Sequence, residues 1–168
     1  ICKKLIFRHP HVFGEVSVSG TGEVLSNWEE LKRKEKGQAT NTDALEAVAR
    51  SLPALWRAEK VQKKAKKAGF DWPDVSGALD KLSEELEELR TAVAEGTNVE
   101  EELGDLLFSA VNVSRFVKVD TEEALNRATD KFIGRFRKVE EEAARQGRAL
   151  EGMSLAELDK LWEHAKET

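Results

Sequence analysis

Leu103, Leu106, Leu107, Phe108, Ala110, Val111 and Val113 recur so densely in EELGDLLFSAVNV that they cover most of the circumference of a helix. A helix that is apolar nearly all round is expected to be buried nearly all round. Its polar exceptions are ordered: at about 100° per residue, Glu102, Asp105, Ser109 and Asn112 share one stripe about 80° wide. Upstream, in KLSEELEELR and its flanks, Leu79, Leu82, Leu86, Leu89 and Val93 make a narrower apolar seam, with Glu85 at its edge and Glu88 further round. Each acidic i, i+3 pair occupies one side of its own helix. Glu85 and Glu88 can therefore face Glu102 and Asp105 across a short turn in an antiparallel hairpin.

Periodicity and capping residues predict helices at 23–36, 54–68, 75–95, 98–117, 121–146 and 154–166. Pro53 starts the second, Gly69 ends it, Gly96 closes the third, Asp120 or Thr121 caps the fifth, and Gly147 follows it. VFGEVSVSGTG, with Val12, Val16 and Val18 in alternation, reads as a short ribbon that cannot form a sheet alone. From Lys36 to Ser51, small and polar residues replace the amphipathic pattern, which reads as a linker before a self-sufficient helical unit. KKLIFRHP at 3–10 echoes DKFIGRFR at 130–137, sharing K-[LF]-I-x-R in register. With the non-Met start, this echo suggests that the chain opens inside an earlier copy of the same domain.

Composition narrows the picture. The chain has 168 residues, enough to bury one core. Three prolines, no tyrosine and long Leu/Glu/Lys/Arg-rich segments point to an all-α helical bundle. A formal charge of −5 with interspersed signs gives no basic footprint for a nucleic-acid polymer. No apolar run is long enough for a membrane span and no leader pattern is evident, so a cytoplasmic protein is expected. Cys2, the only cysteine, excludes an internal disulfide and fits that compartment.

Four carboxylates without histidine or cysteine support suit a hard cation bound through oxygen, Mg²⁺ in particular, with Mn²⁺ as a substitute. A carboxylate inside a buried helix costs several kcal/mol unless it is paired or bound to a metal, which gives Asp105 the strongest case. The competing explanation is that a chain with 35% charged residues contains E-x-x-E by chance, as a solvated ion-pair face. Glu84, Glu87 and Glu95 fit that explanation. His9 and His11 flank a proline without further ligand support and read as a turn; His164 reads as an exposed residue near a helix C-terminus.

RHPHVFGEV, LSNWEELKRKEKG, RSLPALWRAEKVQKKAKKAGFDW, KLSEELEEL, EEELGDLLFSAVNVSRF, EEALNRATDKFIGRFRKVE and SLAELDKLWEHAK together resemble the MazG nucleoside triphosphate pyrophosphohydrolases. The resemblance implies a dimeric all-α enzyme that converts NTPs and dNTPs to NMP or dNMP and pyrophosphate with Mg²⁺. It implies Glu85, Glu88, Glu102 and Asp105 as metal ligands, and Lys131 and Arg135 of the KFxxRF element as phosphate-binding cations, with Lys81 a third. Trp162 falls on the tryptophan of the C-terminal LW element, where it stacks on the base or anchors the last helix. Glu84 and Glu101 adjoin the ligands and are candidates for orienting water. Trp28, Trp56 and Trp72 are expected to pack, with Trp72 of GFDW the least settled. Thr129 and Gly134 depart from the family's usual Asn and long side chain. On this reading residues 1–36 are the remnant of a preceding copy, 37–52 a linker and 53–168 a complete catalytic domain. The rivals are a related dUTPase-like or modified-nucleotide pyrophosphatase, and a regulatory helical module that binds nucleotide without turnover.

Overall fold

The computed structural model describes residues 39–167 continuously, together with Cys2, Ile6, Pro10–Phe13, Leu31, Glu35 and Gly37. All regular structure among the described residues is helical. The elements are α1 (Pro10–Phe13), α2 (Asn41–Glu46), α3 (Ala54–Lys67), α4 (Val75–Glu95), α5 (Val99–Phe116), α6 (Thr121–Arg145), a 3₁₀ turn at Leu150–Gly152, and α7 (Leu155–Glu167). The five long helices fall within one residue of the expected ones. The proposed ribbon falls almost entirely outside the described residues, as do most of the first expected helix and His9.

The stretch expected as a linker contains α2. Its start is a local device: the Thr40 hydroxyl accepts from the Asp43 N–H at 3.0 Å while the Asp43 carboxylate accepts from the Thr40 N–H at 2.7 Å. A reciprocal cap of this kind starts a helix where no amphipathic pattern announces one.

The chain divides into two compact units, one through Asn112 and one from Val113. In the first, Asp74 caps α4 by accepting from the Ser76 N–H at 2.8 Å. Gly96, at φ 69°, ends α4 in the left-handed conformation that glycine adopts without a Cβ penalty, and Asn98 follows at φ 53° before α5 begins. This three-residue connection makes α4 and α5 an antiparallel hairpin. The Gln62 side-chain amide donates to the Phe108 carbonyl at 2.8 Å and so fastens α3 to α5. Gly77, the third residue of α4, serves a contact: a Cβ there would lie 2.3 Å from Cδ1 of Trp72. Its helix-propensity cost of about 1 kcal/mol relative to alanine is accepted because the indole rests on the helix backbone. In the second unit α6 and α7 form another antiparallel hairpin, with Phe132 meeting Trp162 and Arg148 meeting Glu157.

Burial departs from expectation in α5. Val111 is fully enclosed and Ser109, Asn112 and Ser114 are buried, whereas Leu103, Leu107, Phe108 and Asp105 are exposed. Among the described residues the all-round apolar pattern is therefore only partly covered. The buried apolar residues of the described portion are small, namely alanines and valines such as Ala78, Ala92, Val139 and Ala143.

Candidate metal-binding site

The α4–α5 hairpin brings Glu85, Glu102 and Asp105 together, with one carboxylate oxygen of each within 4.8 Å of the others. Glu85 is 5% exposed, Glu102 half-buried and Asp105 exposed. The set thus runs from a buried helix face to solvent, and an ion can enter from its open side. Glu88 does not join the three-way cluster; it lies exposed on the next turn of α4. It lines a groove of about 410 Å³ with Glu84, Glu87, Glu95, Asn98 and Glu102. Its carboxyl is held above the ordinary value, first by loss of surrounding water and then by the charges of Glu85, Glu84 and Glu102, against the opposing pull of Lys81. Three of the four expected ligands converge and the fourth sits in their field.

Glu85 is buried because Lys81 compensates it. The Lys81 ammonium lies 2.7 Å from Glu85 and 2.8 Å from Glu84, one turn back along α4. The hydrogen bonds to Glu84 and Glu85 hold the Lys81 pKa well above its usual range. A buried carboxylate left without this partner would be strongly unfavourable. The expected phosphate-binding lysine is thus engaged by the acidic cluster itself, as is Glu84, while Glu101 is exposed. The i, i+4 spacing of Lys81 and Glu85 carries the signal for this pair, though sequence reasoning alone assigned the lysine elsewhere.

The donor set fits a divalent cation. All three ligands are carboxylate oxygens, without nitrogen or sulfur, the combination that Mg²⁺ and Mn²⁺ favour, so Glu85, Glu102 and Asp105 could hold a metal ion.

The second unit gathers the remaining expected residues. Lys131 is exposed on α6, one turn before the half-buried Arg135. The Arg135 guanidinium lies 6.0 Å from the Trp162 ring centre. Trp162 is half-buried and packs on Phe132 with ring centres 5.0 Å apart, and Phe132 in turn stacks on Phe136 at 6.1 Å. Trp162 therefore does anchor α7, and it does so beside a cation.

The described residues thus define an all-helical fold whose α4–α5 hairpin converges carboxylates from two helices, with a lysine against the buried one, a class of site that could hold a divalent cation. Within that class, residues 74–140, which include all four acidic positions, match the MazG nucleotide pyrophosphohydrolase domain. The chain is 42% identical over 170 residues to the nucleoside triphosphate pyrophosphohydrolase of Escherichia coli K12, which covers 99% of this chain and 65% of that protein. It is 45% identical over 164 residues to the nucleoside triphosphate pyrophosphohydrolase/pyrophosphatase MazG of Thermotoga maritima, covering 98% of this chain and 62% of that one. The uncharacterized protein YabN of Bacillus subtilis is 48% identical over 171 residues, spanning the whole chain and 35% of its own length. The chain thus spans somewhat under two thirds of the length of the first two relatives. No helix among the described residues is long and apolar enough to cross a membrane.

Proposed function

We propose that this chain is a Mg²⁺-dependent nucleoside triphosphate pyrophosphohydrolase that cleaves NTPs and dNTPs between the α and β phosphates, giving NMP or dNMP and pyrophosphate. The observation that carries the reading is the convergence of Glu85, Glu102 and Asp105 across the hairpin, supported by the similarity to relatives named for this activity.

Glu85, Glu102 and Asp105 would hold Mg²⁺, or Mn²⁺ in its place, with Glu88 as a further ligand on the groove side. A bound divalent ion neutralises phosphate charge, polarises the scissile phosphorus and acidifies water. Lys81, which compensates Glu85 in the chain alone, would be free to engage a phosphate oxygen once an ion shares that compensation. Glu84 or Glu101 would orient the attacking water. Lys131 and Arg135, one turn apart on α6, would engage phosphate oxygens, with the arginine able to contact two at once. Trp162, beside Arg135, would contact the base through the ring area that Phe132 leaves uncovered.

Residues 53–168 would form the catalytic domain, 37–52 its connection and 1–36 part of a preceding copy. A homodimer completes the proposal, because Leu79, Leu86 and Val93 of α4 and Phe132, Ile133 and Phe136 of α6 remain exposed in the single chain.

The test is single-turnover NTP hydrolysis by Glu88→Gln and Asp105→Asn. Loss of about 100-fold or more is expected in each, beyond what outer-shell changes at metal sites usually produce, with helical content unchanged. Activity near wild type in both would contradict the assignment.

A further inference from the structure

Trp72 has a geometry that packing alone does not require. A Cβ built on Gly77 would lie 2.3 Å from Cδ1, 2.7 Å from Cγ and 2.9 Å from Nε1 of the indole. Three ring atoms at nearly equal range place that point above the face of the five-membered ring, since an approach from the edge would leave the two flanking atoms much farther away. The indole therefore lies flat on the first turn of α4, with one face against the helix. Trp72 is nevertheless 40% exposed, so the indole is only partly covered and keeps area for a ligand. Among the described residues no second aromatic ring and no cation is stacked on it, in contrast to Trp162 with Phe132 and Arg135.

The position of the indole along α4 gives it a use. Gly77, Lys81, Glu84 and Glu88 recur at four, three and four residues, on one side of the helix, with Glu85 at its border. Reading along that side, an aromatic plate comes first, then an ammonium group one turn on, then the carboxylate cluster. The eight residues from Gly77 to Glu85 correspond to about 12 Å of helix rise. That order and separation match the parts of a nucleoside triphosphate bound through its metal: planar base, polyphosphate, cation.

We propose that Trp72 is a further stacking platform for the nucleobase, with Gly77 as the positioning residue that lets the indole lie flat. This rests on the hydrolase reading for the identity of the ligand, and it concerns a tryptophan independent of Trp162. A bare aromatic face has no hydrogen-bonding pattern of its own, so it stacks purines and pyrimidines alike and favours a general NTP and dNTP substrate range.

The experiment measures binding, by calorimetry with Mg²⁺, of an α,β-methylene nucleoside triphosphate that cannot be cleaved at the proposed bond, and in parallel of inorganic tripolyphosphate. The proteins are wild type, Trp72→Ala, Trp72→Phe and Gly77→Ala. Trp72→Ala is expected to weaken the nucleotide analogue about tenfold or more, in line with the loss of one stacked base, and to leave tripolyphosphate affinity unchanged. Trp72→Phe should retain most of the affinity, and Gly77→Ala, which displaces the indole, should resemble Trp72→Ala. Equal weakening of both ligands in Trp72→Ala, or no weakening of either, overturns the proposal. The readout is binding, so wild-type protein that binds the analogue in a Trp72-dependent way but releases no NMP from NTP would count against hydrolysis and support the platform. Wild type that binds neither ligand overturns both.

Discussion

Lys81 and Glu85 form the pair on which the acidic cluster depends. The carboxylate is buried and the ammonium 2.7 Å away compensates its charge. Removing the lysine leaves Glu85 without compensation until metal enters. Lys81→Met is therefore expected to lower the melting temperature in the absence of divalent ions by several degrees, and to enlarge the stabilisation produced by added Mg²⁺ relative to wild type. Thermal melts with and without Mg²⁺ measure this, and an unchanged Mg²⁺ response would contradict it. The convergence of Glu85, Glu102 and Asp105 was readable from spacing, because i, i+3 pairs on two helices joined by a short turn must face one another or solvent, but the same spacing also placed Glu88 in the cluster, which it does not join. The engagement of Lys81 was not readable, since a lysine one turn before a glutamate serves a surface pair and a buried one equally well. Trp72 was unreadable for a related reason: only the contact over Gly77 separates a flat, half-open indole from an ordinary packed one.

Helix limits were set by local chemistry and so were legible, with Pro53, Gly96, Asp120 and Gly147 marking ends that the structure places within a residue of expectation. The helix α2 was missed because its origin is a reciprocal side-chain cap rather than a periodic pattern. The approach to α7 uses another local device. Arg148 donates to Glu157 at 2.5 Å across the α6–α7 connection, and Glu157 also accepts from the Ser154 N–H and hydroxyl at 2.8 Å. The hydrogen bond from Arg148, followed by those from Ser154, lowers the Glu157 pKa from 4.5 to about 2. A carboxylate whose pKa is depressed on folding contributes stability above its unfolded value and loses it as pH falls through the folded one. Glu157→Gln should therefore be less stable than wild type at neutral pH. The difference should begin to close below about 4.5 and vanish near 2. Chemical denaturation at several pH values measures it, and a gap independent of pH would contradict the ion-pair account.

Among the described residues, each of the two units leaves much apolar surface uncovered. The sole large side chain fully enclosed among the described residues is Val111, while Leu79, Leu86, Val93, Leu103, Leu107, Phe132 and Phe136 remain exposed. Periodicity identified these residues as apolar faces but could not say whether the cover lies in the same chain, because a seam reads alike in either case. Leu79, Leu86 and Val93 recur at seven-residue spacing on α4, the period of a helix seam that packs on another helix. Light scattering should report wild-type protein at twice the mass of the chain, and Leu86→Glu should shift it to the single-chain mass. Monomeric wild type at micromolar concentration would contradict the dimer.

The proposed function rests on the cluster of Glu85, Glu102 and Asp105, and product-resolved single-turnover hydrolysis of an NTP and dNTP panel, with and without Mg²⁺, addresses it most directly. NMP or dNMP and pyrophosphate in equal amounts, formed with Mg²⁺ and absent without it, is the predicted result. Release of NDP and phosphate, or hydrolysis indifferent to Mg²⁺, would contradict the account.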